Sequence, residues 1–225
     1  MLIFKTLLTG ISSLLFPPIC KGCEKRMESG QGVICADCWQ QLELFPTEEL
    51  QTKNIPESLD LVWPVFLFND LFQKIVHALK YQGNVSLGRE LGRRMAAHLP
   101  FDFDKYQPDL FVPIPLHPIK LRERGYNQSD AIARGLAFRL GDALETGLLR
   151  RIRNTVTQTQ LSAEERQVNM QAAFKISRKK TINPHDTIVL VDDVFTTGAT
   201  LGSAAQTLRQ AGFNRIIAIT AAAPL

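Results

Sequence analysis

The sequence has no cysteine beyond residue 38, although the chain runs to 225 residues. An extracellular protein held together by disulfides would usually spread its cysteines more widely. No internal repeat or low-complexity segment is present, which excludes a repeat protein. The apolar run at the N-terminus is interrupted by Lys5 and Gly10, is too short to span a bilayer, and precedes no small-residue cleavage site. We therefore expect a cytoplasmic protein with no transmembrane segment.

The first residues show helical periodicity instead. Apolar side chains recur at the spacing of one helix face, at Phe4, Leu7, Leu8, Ile11, Leu14 and Leu15. This pattern predicts an amphipathic helix that packs on the protein or faces a partner. Two alternatives stay open, namely peripheral contact with the inner face of a membrane, and export.

The composition is that of an ordinary globular protein, with 45% hydrophobic and 21% charged residues. Such a chain can build one sizeable core and a small additional module. The net charge of +4 is mildly basic. It is compatible with an anionic ligand but does not by itself indicate a nucleic-acid partner.

Strand-like and helix-like patterns alternate after a polar stretch with two prolines at 44–60, which predicts a parallel α/β sheet flanked by helices. We predict a cysteine module over 1–50, a linker over 51–60 and an α/β domain over 61–225. The predicted strands cover 61–68, 109–116, 148–153, 187–193 and 215–223. The predicted helices cover 70–83, 86–99, 127–140 and 198–212.

The strongest strand, in the segment IVLVDDVFTTGAT, ends in two adjacent aspartates, Asp192 and Asp193. Ligands of parallel sheets bind beyond the carboxyl ends of strands, and two neighbouring carboxylates need hydroxyl donors or Mg²⁺ to offset their repulsion. The following loop supplies hydroxyls and a turning glycine, and the next helix start supplies amides for an anion. Its candidate residues are Thr196, Thr197, Gly198, Ala199 and Thr200. The pattern predicts a phosphorylated-sugar site, whereas the alternative, a simple helix cap, needs only one Asp or Thr.

This segment resembles the signature of type I phosphoribosyltransferases, which bind phosphoribosyl pyrophosphate (PRPP). The resemblance implies a type I phosphoribosyltransferase-like fold. It also implies that Asp192 and Asp193 bind the ribose 2′ and 3′ hydroxyls and that the loop 196–200 surrounds the 5′-phosphate. Mg²⁺ would accompany PRPP.

We expect two further segments to bring positive charge to the carboxyl edge of the sheet, where the two aspartates lie. Lys120, Arg122 and Arg124 follow a buried strand and are candidates for the pyrophosphate, since arginine suits bidentate phosphate contacts. A solvated helix face is the alternative for these side chains, and a packing or surface role is the more common one for the nearby His117.

The second basic segment, 150–170, is long, polar and placed between strands, which is typical of a functional or mobile connection. We predict a flexible loop that closes over the leaving group, with Arg151, Arg153, Thr155 and Gln158 as its candidates. A solvent-exposed helix beginning at Ser162 is compatible with this prediction.

Four cysteines form two C-x-x-C pairs, at Cys20 and Cys23 and at Cys35 and Cys38. Two such pairs complete a tetrahedral Zn²⁺ site, and four protein ligands make the zinc structural. Redox-active or unpaired thiols are the alternative. We expect Trp39, next to the last cysteine, to be a packing residue.

Together the segments VPIPLHPIKLRERGYNQ, RIRNTVTQTQLSAEERQVNMQAAF and LKYQGN, with the cysteine module, resemble the ComF/GntX-like family. The resemblance covers nearly the whole chain and implies a role in DNA uptake and natural transformation. It also implies a competence helicase or DNA-processing protein as partner.

Two functions stay open. The chain is either a Mg²⁺-dependent enzyme that transfers phosphoribosyl to an unknown acceptor, or a PRPP-sensing module that binds single-stranded DNA. For the second function the candidate backbone contacts are Arg89, Arg93, Arg94, Arg150 and Arg151. Lys80 and Tyr81 are candidates for the acceptor side of the site, with core or surface roles equally open.

Overall fold

The computed structural model describes residues 18–28, 30, 32–100, 103–141, 143–153, 173–177 and 183–225. The helix predicted over 4–15, the candidate loop residues Thr155 and Gln158, and the helix predicted from Ser162 lie outside these ranges. Within them, no helix is long and apolar enough to cross a membrane.

The core of the fold is a parallel sheet of five strands in the order β1-β7-β6-β2-β3. These strands are β1 (Leu61–Leu67), β2 (Leu110–Pro113), β3 (Ala143–Leu144), β6 (Thr187–Val194) and β7 (Arg215–Ala223). The two central strands, β6 and β7, are buried along almost their whole length, as expected for strands covered by helices on both faces. The predicted α/β, phosphoribosyltransferase-like fold is confirmed.

In the part of the chain that the structure describes, six α-helices accompany the strands: α1 (Ala36–Gln40), α2 (Asp70–Tyr81), α3 (Val85–Ala97), α4 (Pro118–Arg124), α5 (Gln128–Leu140) and α6 (Ala199–Gln210). Short 3₁₀ turns cover Thr47–Thr52 and Phe103–Tyr106. Asparagine side chains cap the first turns of two helices, because Asn69 accepts from the amide of Phe72 and Asn127 from that of Ser129. These caps fix where α2 and α5 begin.

The strand predicted over 148–153 does not join the parallel sheet. Its central part, β4 (Leu149–Arg151), pairs antiparallel with β5 (Phe174–Ile176) in a separate two-stranded ribbon. Its partner β5, with three residues, and β3, with two, were not predicted. Strands this short carry too few residues for a periodicity to show in the sequence.

Glycines bring α3 and α5 into close backbone contact. A Cβ at Gly92 would lie 2.1 Å from the carbonyl oxygen of Ile132, and one at Gly135 would lie 2.1 Å from that of Arg89. Any side chain at these positions would push the helices apart. The contact holds α5 against the sheet, so its first residues reach the carboxyl end of β6.

The cysteine module shares its core with the α/β part of the chain. Cys20, Cys38 and Trp39 belong to the same buried cluster as Phe72 and Ile75 of α2. The guanidinium of Arg94 in α3 also lies 4.3 Å from the centre of the Trp39 ring. Trp39 is therefore a packing residue, as predicted.

The segment predicted as a linker packs against α6. Pro56 lies against Gly198 and Gly202, where a Cβ would meet its ring atoms at 3.0 Å and 2.8 Å. The Ser58 hydroxyl donates to the Gly202 carbonyl at 3.0 Å, and Arg209 forms an ion pair with Asp60 at 2.6 Å. This segment therefore supports the loop that follows β6.

Candidate functional site

The two aspartates at the end of β6 are buried, with Asp192 8% and Asp193 6% exposed. They lie where β6 leaves the sheet, at its carboxyl edge. The Asp193 amide donates to Asp192 Oδ1 at 2.9 Å, and the Val194 amide donates to Asp193 Oδ1 at 2.9 Å. The backbone thus orients both carboxylates before any side chain contributes.

Side chains from two other elements complete the contacts of the acid pair. The Ser129 hydroxyl, in the first turn of α5, donates to Asp192 Oδ1 at 2.8 Å. The Lys80 ammonium, in the last turn of α2, lies 2.7 Å from Asp193 Oδ2. Gln128 Nε2 is a more distant donor to the same oxygen, at 3.4 Å. Each acid therefore has its own partner, a hydroxyl for Asp192 and a cation for Asp193.

The pKa of Asp192 is raised to about 7. The main cause is burial, which disfavours the charged carboxylate, and the negative charge of Asp193 raises the pKa further. The hydrogen bonds from Ser129 and the Asp193 amide, and the charge of Lys80, lower it. Asp192 therefore gains or loses a proton near neutral pH.

The loop after β6 forms a small pocket with the first acid. The pocket is lined by Asp192 and by residues 194–201. Gly198 adopts a left-handed backbone with φ of 72°, which a side chain would strain, and a Cβ there would also lie 2.9 Å from the Phe195 ring. The N-cap residue Gly198 has no side chain to cap α6, and the Thr197 hydroxyl accepts only a long hydrogen bond from the Ala199 amide, at 3.5 Å. An anion at this helix start would accept from its first amides.

Positive side chains from three elements lie near the acid pair. The pKa of Lys120 in α4 is lowered, first by burial and then by the charges of Arg151, Arg124 and Lys80. Burial also lowers the pKa of Arg151 in β4, while the charge of Asp192 raises it. Lys120 is therefore close enough to interact with the other three cations, and two of the four, Arg151 and Lys80, also interact with the acids.

The remaining candidates do not join this cluster in the described residues. Arg122 and Arg153 are exposed. His117 caps α4, where its Nδ1 accepts from the Ile119 amide at 3.3 Å. That contact is the local structural role that the sequence favoured for this histidine.

The arginines considered for nucleic acid lie partly on one surface. Arg93 of α3 lies 5.4 Å from the ring centre of Phe138, which is 76% exposed at the end of α5. Arg89 is exposed on the same helix as Arg93. Arg94 instead packs on Trp39 and pairs with Glu90 at 3.0 Å.

Ser129 and Gln128 were missed as site residues, because the sequence Asn-Gln-Ser at this position also fits an ordinary helix start. Lys80 was considered only for the acceptor side. No sequence signal links Lys80 to Asp193, because their contact depends on how α2 packs against the end of β6.

The four cysteines come together as predicted. The Cys20 and Cys38 sulfurs lie 3.7 Å apart, those of Cys23 and Cys35 lie 3.8 Å apart, and all four lie within 4.8 Å of one another. Tetrahedral zinc with Zn–S bonds of about 2.3 Å requires sulfurs separated by about 3.8 Å. The residues therefore fit one structural Zn²⁺, and the chain has no further cysteine for a second such site.

Backbone amides favour the thiolate form of Cys20, whereas burial and the neighbouring thiols raise the pKa of Cys38. The Gly22 and Cys35 amides donate to Cys20 Sγ at 3.4 Å and 3.2 Å. Burial raises the pKa of Cys20, but the amides of Cys35, Cys23 and Gly22 outweigh burial and lower that pKa to about 6. Gly22 is also sterically required, since a Cβ would lie 2.9 Å from Cys38 Sγ.

Comparison with known proteins identifies both parts of the chain. Residues 11–50 match the double zinc ribbon domain family. The chain is 27% identical over 201 residues to Competence protein F of Haemophilus influenzae, covering 88% of this chain and 87% of the relative. It is 27% identical over 222 residues to Competence protein ComFC of Streptococcus pneumoniae, covering 92% and 90%.

A third relative, DNA utilization protein YhgH of Salmonella typhi, is 35% identical over 147 residues, and the match spans 61% of each chain. With the zinc ribbon and the parallel sheet, these similarities support a ComF-like protein with an N-terminal zinc ribbon.

Proposed function

We propose that the chain binds PRPP at the carboxyl end of β6. Asp192 and Asp193 accept hydrogen bonds from the ribose hydroxyls, and the loop 196–200 with the first amides of α6 holds the 5′-phosphate. One observation carries the proposal: the buried carboxylate of Asp192 and the loop border a single pocket, and the buried Asp193 is adjacent to Asp192 in the chain. Carboxylates that can bind a diol and amides that can bind a phosphate therefore lie at the same end of β6.

The positive side chains near the acid pair support a ligand that carries, besides the 5′-phosphate, a second and more negative group. Lys120 and Arg124 of α4 and Arg151 of β4 add positive charge beyond what the two acids neutralise. We assign these residues to the pyrophosphate of PRPP. Arg122, Arg153, Thr155 and Gln158 remain candidates for the same role.

Mg²⁺ would enter with the ligand. The Asp193 carboxylate already accepts from Lys80 at 2.7 Å, so a metal held by both acids would displace that ammonium. Magnesium prefers oxygen ligands and keeps several waters, which suits an ion carried on the pyrophosphate beside the acid pair. There it would neutralise the charge that develops on the leaving group.

The transfer reaction that this site supports is substitution at C1 of the ribose. An acceptor attacks C1 as the bond to pyrophosphate breaks, and positive charge develops on the ring. Catalysis of this kind depends on positioning and electrostatic stabilisation and requires no covalent nucleophile from the chain. Lys120, Arg124 and Arg151 would stabilise the departing pyrophosphate.

The proposal is tested by isothermal titration calorimetry with PRPP and Mg²⁺. We expect binding by the wild type and loss of binding by Asp192→Asn with Asp193→Asn. Asp70→Asn, an exposed acid at the start of α2, is the matched control and should bind as the wild type does. Unchanged affinity of the double variant would refute the ribose assignment. Release of pyrophosphate with a panel of bases then separates an enzyme from a sensor.

We also propose that the chain acts in DNA uptake, in association with a competence helicase or DNA-processing protein. The names of the relatives, Competence protein F, Competence protein ComFC and DNA utilization protein YhgH, support this role. Deletion of the gene should lower transformation with linear DNA, and restoring wild-type protein should reverse the defect. Normal transformation of the deletion strain would contradict the role.

A second candidate function is binding of single-stranded DNA on the surface formed by α3 and α5. Arg93 beside the exposed ring of Phe138 supports it, because an arginine with a stackable aromatic suits a strand with unpaired bases. Binding of a labelled oligonucleotide, followed by fluorescence anisotropy over a salt series, should weaken in Phe138→Ala and Arg93→Ala. Arg215→Ala, an exposed arginine at the start of β7, is the control. Equal binding by all three variants would exclude this surface.

A further inference from the structure

We propose that Lys80 is a positioning residue for the acid pair, and that its positive charge favours the ionised pair that accepts sugar hydroxyls. The inference rests on the sugar-phosphate site proposed above and adds a function for a residue from α2. Lys80 lies in the last turn of that helix, and its ammonium donates to Asp193 Oδ2 at 2.7 Å.

The position of Lys80 is fixed on both sides. The preceding residue, Leu79, is fully buried, and the Tyr126 hydroxyl donates a hydrogen bond to its carbonyl oxygen. Tyr126 lies just before α5, the helix that supplies Ser129 to the other acid. The end of α2 and the start of α5 are thus tied together around the pair. Lys80 is only 27% exposed, unlike a mobile surface lysine.

The groups that face the acids differ in charge. From α5, Ser129 and Gln128 contribute neutral donors, at 2.8 Å and 3.4 Å. From α4 and β4, Lys120, Arg124 and Arg151 contribute the charges assigned above to the pyrophosphate. Lys80 differs from these three, because its bond is to an acid that would hold the sugar.

Two adjacent carboxylates that are less than one-tenth exposed repel each other strongly. A cation at 2.7 Å offsets that repulsion. The charge of Lys80 lowers the pKa of Asp192, so that without it Asp192 would keep its proton to a higher pH. A protonated carboxyl donates where the ribose needs an acceptor. Lys80 therefore favours the doubly ionised pair that can accept two hydroxyls.

The first test compares Lys80→Met and Lys80→Arg with Lys74→Met, an exposed lysine of the same helix. PRPP affinity is measured by calorimetry between pH 6 and pH 9. We expect Lys80→Met to bind about fivefold more weakly at pH 7, because a rise of about one unit in the pKa of Asp192 lowers its ionised fraction from about one half to about one eleventh. The loss should shrink as the pH approaches 9, and Lys80→Arg and Lys74→Met should follow the wild type. A loss of affinity that is the same at every pH would overturn the inference, because Lys80 would then contact the ligand directly. Unchanged affinity of Lys80→Met would also overturn it.

The second test needs no ligand. Urea unfolding of Lys80→Met, Asp193→Asn and the double variant forms a double-mutant cycle. We expect non-additivity of about tenfold in the unfolding constant, whereas additive effects would overturn the inference. If the wild type fails to bind PRPP while the cycle shows coupling, the proposed function fails and the ion pair between Lys80 and the acid pair stands.

Discussion

Pro56 packs directly against Gly198, so that a residue from outside the sheet supports the turn after β6. A Cβ at Gly198 would lie 3.0 Å from Pro56 Cδ and 2.9 Å from the Phe195 ring. The shape of the loop therefore depends on two features, the left-handed backbone of the glycine and the space that Pro56 leaves. Substitutions can separate these two features.

We expect Gly198→Ala to weaken PRPP binding and to lower the free energy of unfolding by about 1–3 kcal/mol, through backbone strain and the clash with Pro56. Gly141→Ala is the matched control, because Gly141 has φ of 82° with nothing within 4 Å of a Cβ. The control should show the strain alone and leave PRPP binding unchanged. Urea unfolding and calorimetry measure both effects. If Gly198→Ala bound PRPP as Gly141→Ala does, the loop would have no part in binding.

The buried acid pair should make stability depend on pH. The pKa of Asp192 is raised in the folded protein to about 7, from an ordinary value of 3.8, so the folded chain binds a proton that the unfolded chain releases. This group therefore favours folding at pH values below 4 and loses that contribution as the pH rises toward 7. We expect Asp192→Asn to raise the midpoint of thermal unfolding at pH 7, by about 2–4 °C for each kcal/mol gained.

Asp192→Asn should raise the midpoint of thermal unfolding only slightly at pH 4, where Asp192 of the wild type is already protonated. Thermal unfolding followed by circular dichroism at both pH values measures the difference. An equal gain at both pH values would show that ionisation of Asp192 is not the cause.

Ser129 should keep the pKa of Asp192 lower than it would otherwise be. Its hydroxyl donates to Asp192 at 2.8 Å and lowers the pKa of that carboxyl. We expect Ser129→Ala to raise this pKa and to shift the pH midpoint of PRPP binding upward, while Ser129→Thr keeps the donor and the wild-type midpoint. Ser86→Ala, an exposed serine of α3, is the control. A midpoint that stays the same in Ser129→Ala would contradict this role.

Removal of zinc should destabilise the whole described core and not only the cysteine module. Cys20, Cys38 and Trp39 pack in the same cluster as Phe72 and Ile75. We expect Cys20→Ser, or chelation of the wild type, to lower the temperature of a single cooperative transition in scanning calorimetry, since a structural zinc contributes directly to folding. A separate low-temperature transition with an unchanged main one would show that the module folds independently.

Much of the fold could be predicted from the sequence because the signals are local. The aliphatic run of β6 and the helical patterns of α2 and α5 each indicate an element from neighbouring residues alone. The cysteine spacing indicates the zinc site for the same reason, since each pair supplies two ligands from one turn.

What could not be predicted depends on contacts between distant segments. The bond of Lys80 to Asp193 joins residues 113 positions apart in the chain, and that of Ser129 to Asp192 joins residues 63 positions apart. The contact of Pro56 with Gly198 could not be predicted either, because the sequence around Pro56 has the composition of a polar linker. The acid pair and its loop were predicted because they are adjacent in sequence, whereas their partners come from packing.

The most direct test of the account is a crystal structure of the protein with PRPP and Mg²⁺. The account predicts the ribose 2′ and 3′ hydroxyls within hydrogen-bond distance of Asp192 and Asp193, and the 5′-phosphate on the amides of the loop 196–200. A ligand bound elsewhere, or one whose phosphate lies away from this loop, would contradict it.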